Sequence, residues 1–249
     1  MTIREQVDAW IFVSHASTDL ANVRKVRNYL ELKGAAPLLF HLRALTDPEE
    51  FWPLIEREIV ARNFFLYCES DAAEQSEWVR RERDAVARAA VSSPKRIGAV
   101  DVGGTDVEMS QLDAFLSKTR VFPSFSHRDR DRVLPFLRVL ASVGFQVFDD
   151  LEQIKPATDW KLQLQAELMQ AAENGWVVAF LSNFSMTSQF VQAEISMALQ
   201  LGAKFVPVLI DQIPAHQLPP ALASIQCIHA ADDPVSAAAI LANELLQRT

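Results

Sequence analysis

Short apolar runs alternate along the chain with stretches whose apolar positions recur every three or four residues. Brief runs bounded by turn residues predict strands buried on both faces, and the longer periodic stretches predict helices. The runs WIFVSH from Trp10, APLLFH from Ala36, NFFLYCE from Asn63 and RIGAVDV from Arg96 predict four strands. Helices fall between them, from Asp19 to about Leu32, about Glu49 to Ala61 and about Ser76 to Ala90. A second series of strands follows: RVFPSFSH from Arg120, FQVFDD from Phe145, WVVAFLS from Trp176, KFVPVLI from Lys204 and IQCIHA from Ile225. Its helices run from about Asp131 to Val143, about Trp160 to Ala172, Ser188 to Leu201 and from Pro234 onward. Such alternation is the pattern of parallel α/β sheets with helices on both faces.

The two series keep landmarks in register, which makes the chain a tandem repeat. SHASTD at Ser14 answers SHRDRD at Ser126, Gly34 answers Gly144, and FWPLIEREI at Phe51 answers DWKLQLQAEL at Asp159. SEWVRRE at Ser76 answers SQFVQAE at Ser188. The implied domains are residues 8–118 and 119–249. Between RIGAVDV and RVFPSFSH there is room for one helix, MSQLDAFLS from Met109, but not for a further strand and helix. Either the first copy has lost its last strand-helix piece, or the strand at Arg120 closes the first sheet while opening the second. The first alternative is preferred.

Composition narrows the classes of function. Of 249 residues, 49% are hydrophobic and 22% charged, as in soluble globular domains with proper cores. The net charge of −8 divides equally on either side of Thr119. Neither half offers the concentrated basic face that nucleic acid requires. The apolar runs are far too short to span a membrane, and MTIREQVDAW lacks the apolar core of a secretion signal. Cys68 and Cys227 each sit in an apolar run that reads as a strand, so buried thiols in a reducing cytoplasm are expected. No metal-ligand spacing is present. VGGTDVE from Val102 is a turn, not the spaced-glycine fingerprint of a dinucleotide-binding loop.

Candidate chemistry sits where open parallel sheets bind ligands, beyond the carboxyl ends of the strands at the point where strand order reverses. In the order 2-1-3-4-5 that point lies between the first and third strands. The Ser-His loop after strand one and the helix after strand three converge there in each copy. On that helix Trp78 precedes Glu82 by one turn, and Phe190 precedes Glu194, so each aromatic shares a face with an acid. Both aromatics equally suit helix-to-sheet packing. Ser76 and Ser188 suit helix N-caps, and the acids suit a solvated helix face.

These residues carry a resemblance to the TIR (Toll/interleukin-1 receptor) domain. IFVSHASTD and FPSFSHRDRD resemble its first strand and loop. FQVFDDLEQIKPATDW resembles its second strand and BB loop, and SEWVRRE and SQFVQAE resemble its third helix. The resemblance implies two flavodoxin-like domains, each a parallel sheet of order 2-1-3-4-5 flanked by helices. Bacterial-type family members cleave NAD at the nicotinamide N-glycosidic bond, often in immune or antiphage signalling, and their third-helix Glu is catalytic. Glu82 and Glu194 inherit that role. The implied substrate-binding residues are Ser14, His15, Trp78, Ser126, His127, Arg128, Asp150 and Phe190. NAD enters as a substrate and no cofactor is implied. Other TIR domains are the implied protein partners, and non-catalytic TIR scaffolding is the alternative role. The first copy departs from the pattern at His41, where the second has the acid Asp150, and it lacks a basic residue to answer Arg128.

Overall fold

The computed structural model describes residues 9–40, 51–148, 160–222 and 225–248. The chain forms two compact units, Met1–Ser117 and Lys118–Thr249. In the first, β1 (Trp10–Ser14), α1 (Leu20–Leu32), β2 (Ala36–Leu38), α2 (Trp52–Ala61) and β3 (Phe64–Glu69) are followed by a short α3 (Asp71–Gln75). Then come α4 (Glu77–Ala90), β4 (Arg96–Asp101) and α5 (Ser110–Leu116). In the second, the order is β5 (Arg120–Ser124), α6 (Arg130–Ser142), β6 (Gln146–Val147), α7 (Trp160–Asn174) and β7 (Gly175–Leu181). A short α8 (Asn183–Thr187) precedes α9 (Gln189–Gln200), β8 (Phe205–Leu209), β9 (Ile228–His229) and α10 (Pro234–Gln247).

Every strand pairing among the described residues is parallel. The first sheet has the order β2-β1-β3-β4 and the second β6-β5-β7-β8-β9, so the reversal falls beside β1 and β5 as expected. β5 belongs wholly to the second sheet. The first unit is therefore the shortened copy, four-stranded, and β4 closes its sheet with Ile97 53% exposed. In the second unit β9 pairs with β8, whose last four residues are all buried.

Strand alternation sorts the cores. In the first unit Ile11 and Val13 join Phe64 and Leu66 under α1, with Val23, Val26 and Leu30 facing them. Phe12, Phe65 and Tyr67 point the other way, toward Ile55 and Ile59 of α2 and Val79 and Val86 of α4. Ser14, two residues after Phe12, faces this second side. In the second unit Phe122 likewise packs with Leu168 of α7 and Phe148, and Ser124 follows it.

Gly34 and Gly144 are the landmarks their sequence positions promise. Each follows its helix at positive φ, 82° and 89°. The next amide, of Ala35 or Phe145, reaches back to the carbonyl of Leu30 or Leu140 at 3.0 and 3.1 Å. That is the left-handed helix ending only glycine adopts without cost.

Three local expectations are corrected. The helical turns α3 and α8 precede the expected third helices. Ser70 and Ser182 cap them, and each hydroxyl also donates to an aspartate, Asp19 or Asp129, at 2.5 Å. β9 covers only Ile228 and His229, so Cys227 lies just ahead of it and is half-buried. Cys68 is fully buried in β3, where desolvation pushes its thiol up to about 12. The third correction concerns the repeat itself. β1 maps onto β5 as Ser14 onto Ser124, and the Asp19–Ser70 bond maps onto Asp129–Ser182. Ser126 occupies the place of Ala16, because two residues separate the first-loop register from that of β3 onward.

Candidate functional site

The third helix of each unit starts on a serine. Ser76 Oγ accepts from the Val79 amide at 3.3 Å, and Ser188 Oγ from the Val191 amide at 3.4 Å. That fixed start sets the turn on which Glu82 and Glu194 face the sheet. At the sheet, Ser14 Oγ donates to Glu82 Oε2 at 2.6 Å and Ser124 Oγ donates to Glu194 Oε2 at 2.5 Å. The last residue of each first strand thus holds the third-helix acid by a charge-assisted bond. The expected convergence of strand-one end and third helix is present twice. Ser124 supplies it in the second unit, and Ser126 does not.

The two acids differ in their surroundings. Glu82 is 4% exposed, and desolvation pushes its carboxyl up to about 7, opposed by the Ser14 bond. Trp78, one turn before it on α4, belongs to an aromatic cluster. Trp52 and Trp78 meet edge to face at 5.5 Å, and the Arg81 guanidinium lies 4.2 Å from the Trp52 ring centre and 5.0 Å from that of Trp78. The indole Nε1 of Trp78 is buried with no hydrogen-bond partner. Glu194 is only half-buried and borders a cavity of about 280 Å³ between α7 and α9. Among the described residues Leu164, Leu168, Phe190, Ala193 and Met197 line it, an apolar wall broken by one carboxylate and Gln165.

The remaining candidates fall around the first-strand loops. His15 Nδ1 lies 3.1 Å from the carbonyl oxygen of Val13, a contact that ties the ring to its own strand. His127 is exposed and meets Phe125 edge to face. Ser126 serves as the backbone start of a short 3-10 turn, its carbonyl accepting from Asp129 N at 2.7 Å. Arg128, exposed on that turn, lays its guanidinium over Phe184 at 5.2 Å. Asp150 and His41 lie outside the described residues. No group of three or more His, Cys, Asp or Glu among the described residues could hold a metal ion. No helix among them is long and apolar enough to cross a membrane.

A family model of the TIR domain matches residues 11–117 and again residues 121–243. The chain belongs to the TIR domain family. Similar solved structures include the TIR domain of the Toll-related receptor TRR-2 from Hydra magnipapillata, at 17% identity and a TM-score of 0.39, covering 46% of this chain and 86% of that one. A TIR-STING receptor from C. gigas in complex with 2',3'-cGAMP is 21% identical with a TM-score of 0.39, covering 48% of this chain and 38% of that one. No curated protein matches.

Sequence reasoning missed Ser124, Arg81 and Ala193 in these two TIR domains. Ser124 could have been found from the spacing Phe-x-Ser with Asp five residues on, shared by Phe12, Ser14, Asp19 and Phe122, Ser124, Asp129.

The buried acid of the first TIR domain makes stability depend on pH. Its folded pKa of about 7 lies above the ordinary carboxyl value of 4.5, so between these values the folded state binds the proton that the unfolded chain releases. Stability contributed by protonated Glu82 is complete below pH 4.5 and is lost as pH rises to 7. The loss is about 3 kcal/mol. Glu82→Gln, which still accepts from Ser14, is expected to flatten this slope. Denaturant unfolding of both chains from pH 4.5 to 8 measures it.

Proposed function

We propose that the second TIR domain cleaves NAD at the bond between nicotinamide and ribose, with the Glu194 carboxylate stabilising the cationic ribose. The observation that carries this reading is a serine-held carboxylate at the edge of an apolar cavity, with Phe190 as its aromatic wall. The cavity takes the planar ring of nicotinamide, and the rest of the dinucleotide extends over the surface. Arg128, exposed on the loop after β5, suits the pyrophosphate.

The chemistry asks little more. Nicotinamide is a pyridinium in NAD, so it leaves neutral, taking the electron pair of the broken C–N bond, and needs no general acid. Positive charge develops on the ribose, and a nearby carboxylate lowers the energy of that state. Apolar walls strengthen its field by excluding water. Attack by water at the ribose carbon, with loss of a proton to solvent, gives ADP-ribose. Attack by an adenine nitrogen gives a cyclic product instead.

The test is incubation of the purified chain with NAD, alone and under crowding, with nicotinamide and ADP-ribose products identified by mass spectrometry. Nicotinamide is expected from the native chain. If no condition yields more than the Glu82→Ala, Glu194→Ala double variant, the enzymatic reading fails.

The covered Glu82 favours a second role for the first TIR domain, association with other TIR domains. A chain that only scaffolds would show no rise in melting temperature with NAD.

A further inference from the structure

The third helices of the two units superpose in sequence without a gap from Ser76 and Ser188 onward. Trp78 therefore answers Phe190, Arg81 answers Ala193, Glu82 answers Glu194 and Ala85 answers Met197. In the second unit the space between this helix and the one before it is the cavity of about 280 Å³. In the first unit Trp52 comes from the preceding helix α2, and Trp78 and Arg81 come from α4. All three meet in the matching place. Arg81 is the member that binds the layer together, since its guanidinium lies within 5.0 Å of both ring centres. A planar guanidinium on an aromatic face is a stacking contact as well as a charge contact, and it holds both indoles in one geometry. Ala193 has no atoms with which to do this, and Phe190 is left 58% exposed at the edge of an open cavity.

We propose that Arg81 shuts the first copy of the site, so that the Arg/Ala difference at this one position decides which TIR domain admits a planar ring. Arg81 ties Trp52 to Trp78 across the groove between α2 and α4, beside Glu82 on the same helix, whose carboxyl is held by Ser14. The buried Nε1 of Trp78 is the donor that the shut groove leaves unused. Once the groove opens, that donor suits a carbonyl acceptor, such as the carboxamide of nicotinamide. The ligand's identity rests on the proposed function; the closure itself does not.

The experiment uses the full chain with Glu82→Gln and Glu194→Gln, which keeps the shape of both sites and cannot turn over. Into it Arg81→Ala or Arg81→Lys is introduced. Two quantities are read: acrylamide quenching of tryptophan fluorescence, and the number of NAD equivalents bound in calorimetric titration. Arg81→Ala is expected to increase quenching and to add a second equivalent of bound NAD. Lys, which keeps the charge but cannot stack, is expected to behave as Ala does. Unchanged quenching in Arg81→Ala overturns the closure, and so does a groove held shut by Lys. Increased quenching with no second equivalent, where the parent still binds one, overturns the claim that Arg81 is what excludes the ligand. If the parent binds no NAD at all, the proposed function fails, and quenching alone decides the closure. The reciprocal Ala193→Arg variant, with its melting temperature checked against the parent, is expected to lose the first equivalent. Retention of that equivalent overturns the proposal.

Discussion

Replacing Glu194 by Ala is expected to cut nicotinamide release by about 100- to 1,000-fold, the usual cost of removing a preorganised group that faces developing charge. The ribose gains positive charge as the pyridinium departs, and Glu194 is the only ionisable group among the residues that line the cavity as described. Its orientation is set before substrate arrives, because Ser124 donates to Oε2 at 2.5 Å and holds the carboxylate at the cavity's edge. Glu194→Gln keeps that bond and the volume while removing the charge, so it should fall nearly as far as Ala. If Gln retains most of the rate, the carboxylate acts through shape and the electrostatic account is wrong. Glu82→Ala discriminates between the copies: with the first site shut, release should continue. Initial rates at saturating NAD, measured by nicotinamide chromatography, separate these outcomes from changes in binding.

Phe122→Ala is expected to destabilise the second TIR domain by about 3–5 kcal/mol, the range for deleting a fully buried aromatic. Phe122 is 1% exposed in the interior strand β5 and stacks on Phe148 at 5.7 Å with an interplanar angle of 10°. Strands lie on both sides of it and helices over it, so the surroundings cannot collapse into the space. The cost is large against the whole stability of a small domain. Amide hydrogen exchange resolves the two units: protection should drop across β5 and β7 while that of β1 and β3 is retained. Equal protection in native and variant chains would show that the site had closed over the loss.

Much of this fold is legible because its inner strands are buried on both faces and its helices on one, which writes two distinct periods into the chain. The first sheet's missing strand is legible from simple length, since the residues between Asp101 and Arg120 hold one short helix and no more. Glycine at the end of α1 and α6 is legible because backbone geometry demands it. The register of the first loop is not. SHASTD and SHRDRD match letter for letter at their ends, and the eye takes the repeated Ser-His for the anchor. The structural anchor is the serine that ends the strand, and its partner Glu lies about seventy residues away, a contact no local pattern reports. Arg81 was illegible for another reason. On a charged helix an arginine reads as a solvated residue, and only the fold brings Trp52 from a different helix to lie beneath it.

The bare margin of β4 has a consequence for the chain's solubility. A strand with one neighbour presents a row of unpaired amides and carbonyls, the template on which stray strands add and aggregates grow. β4 is guarded along its length. Asp101 places an exposed charge at its end, and the strand is only six residues long. Gly98 breaks the middle with a residue of poor strand propensity, and it cannot be exchanged for a stickier one. A β-carbon there would lie 2.3 Å from the ring of Phe115, which seals α5 against the sheet. Among the described residues no strand pairs with its outer margin, so the loss of a fifth strand left an end cap whose own composition resists polymerisation.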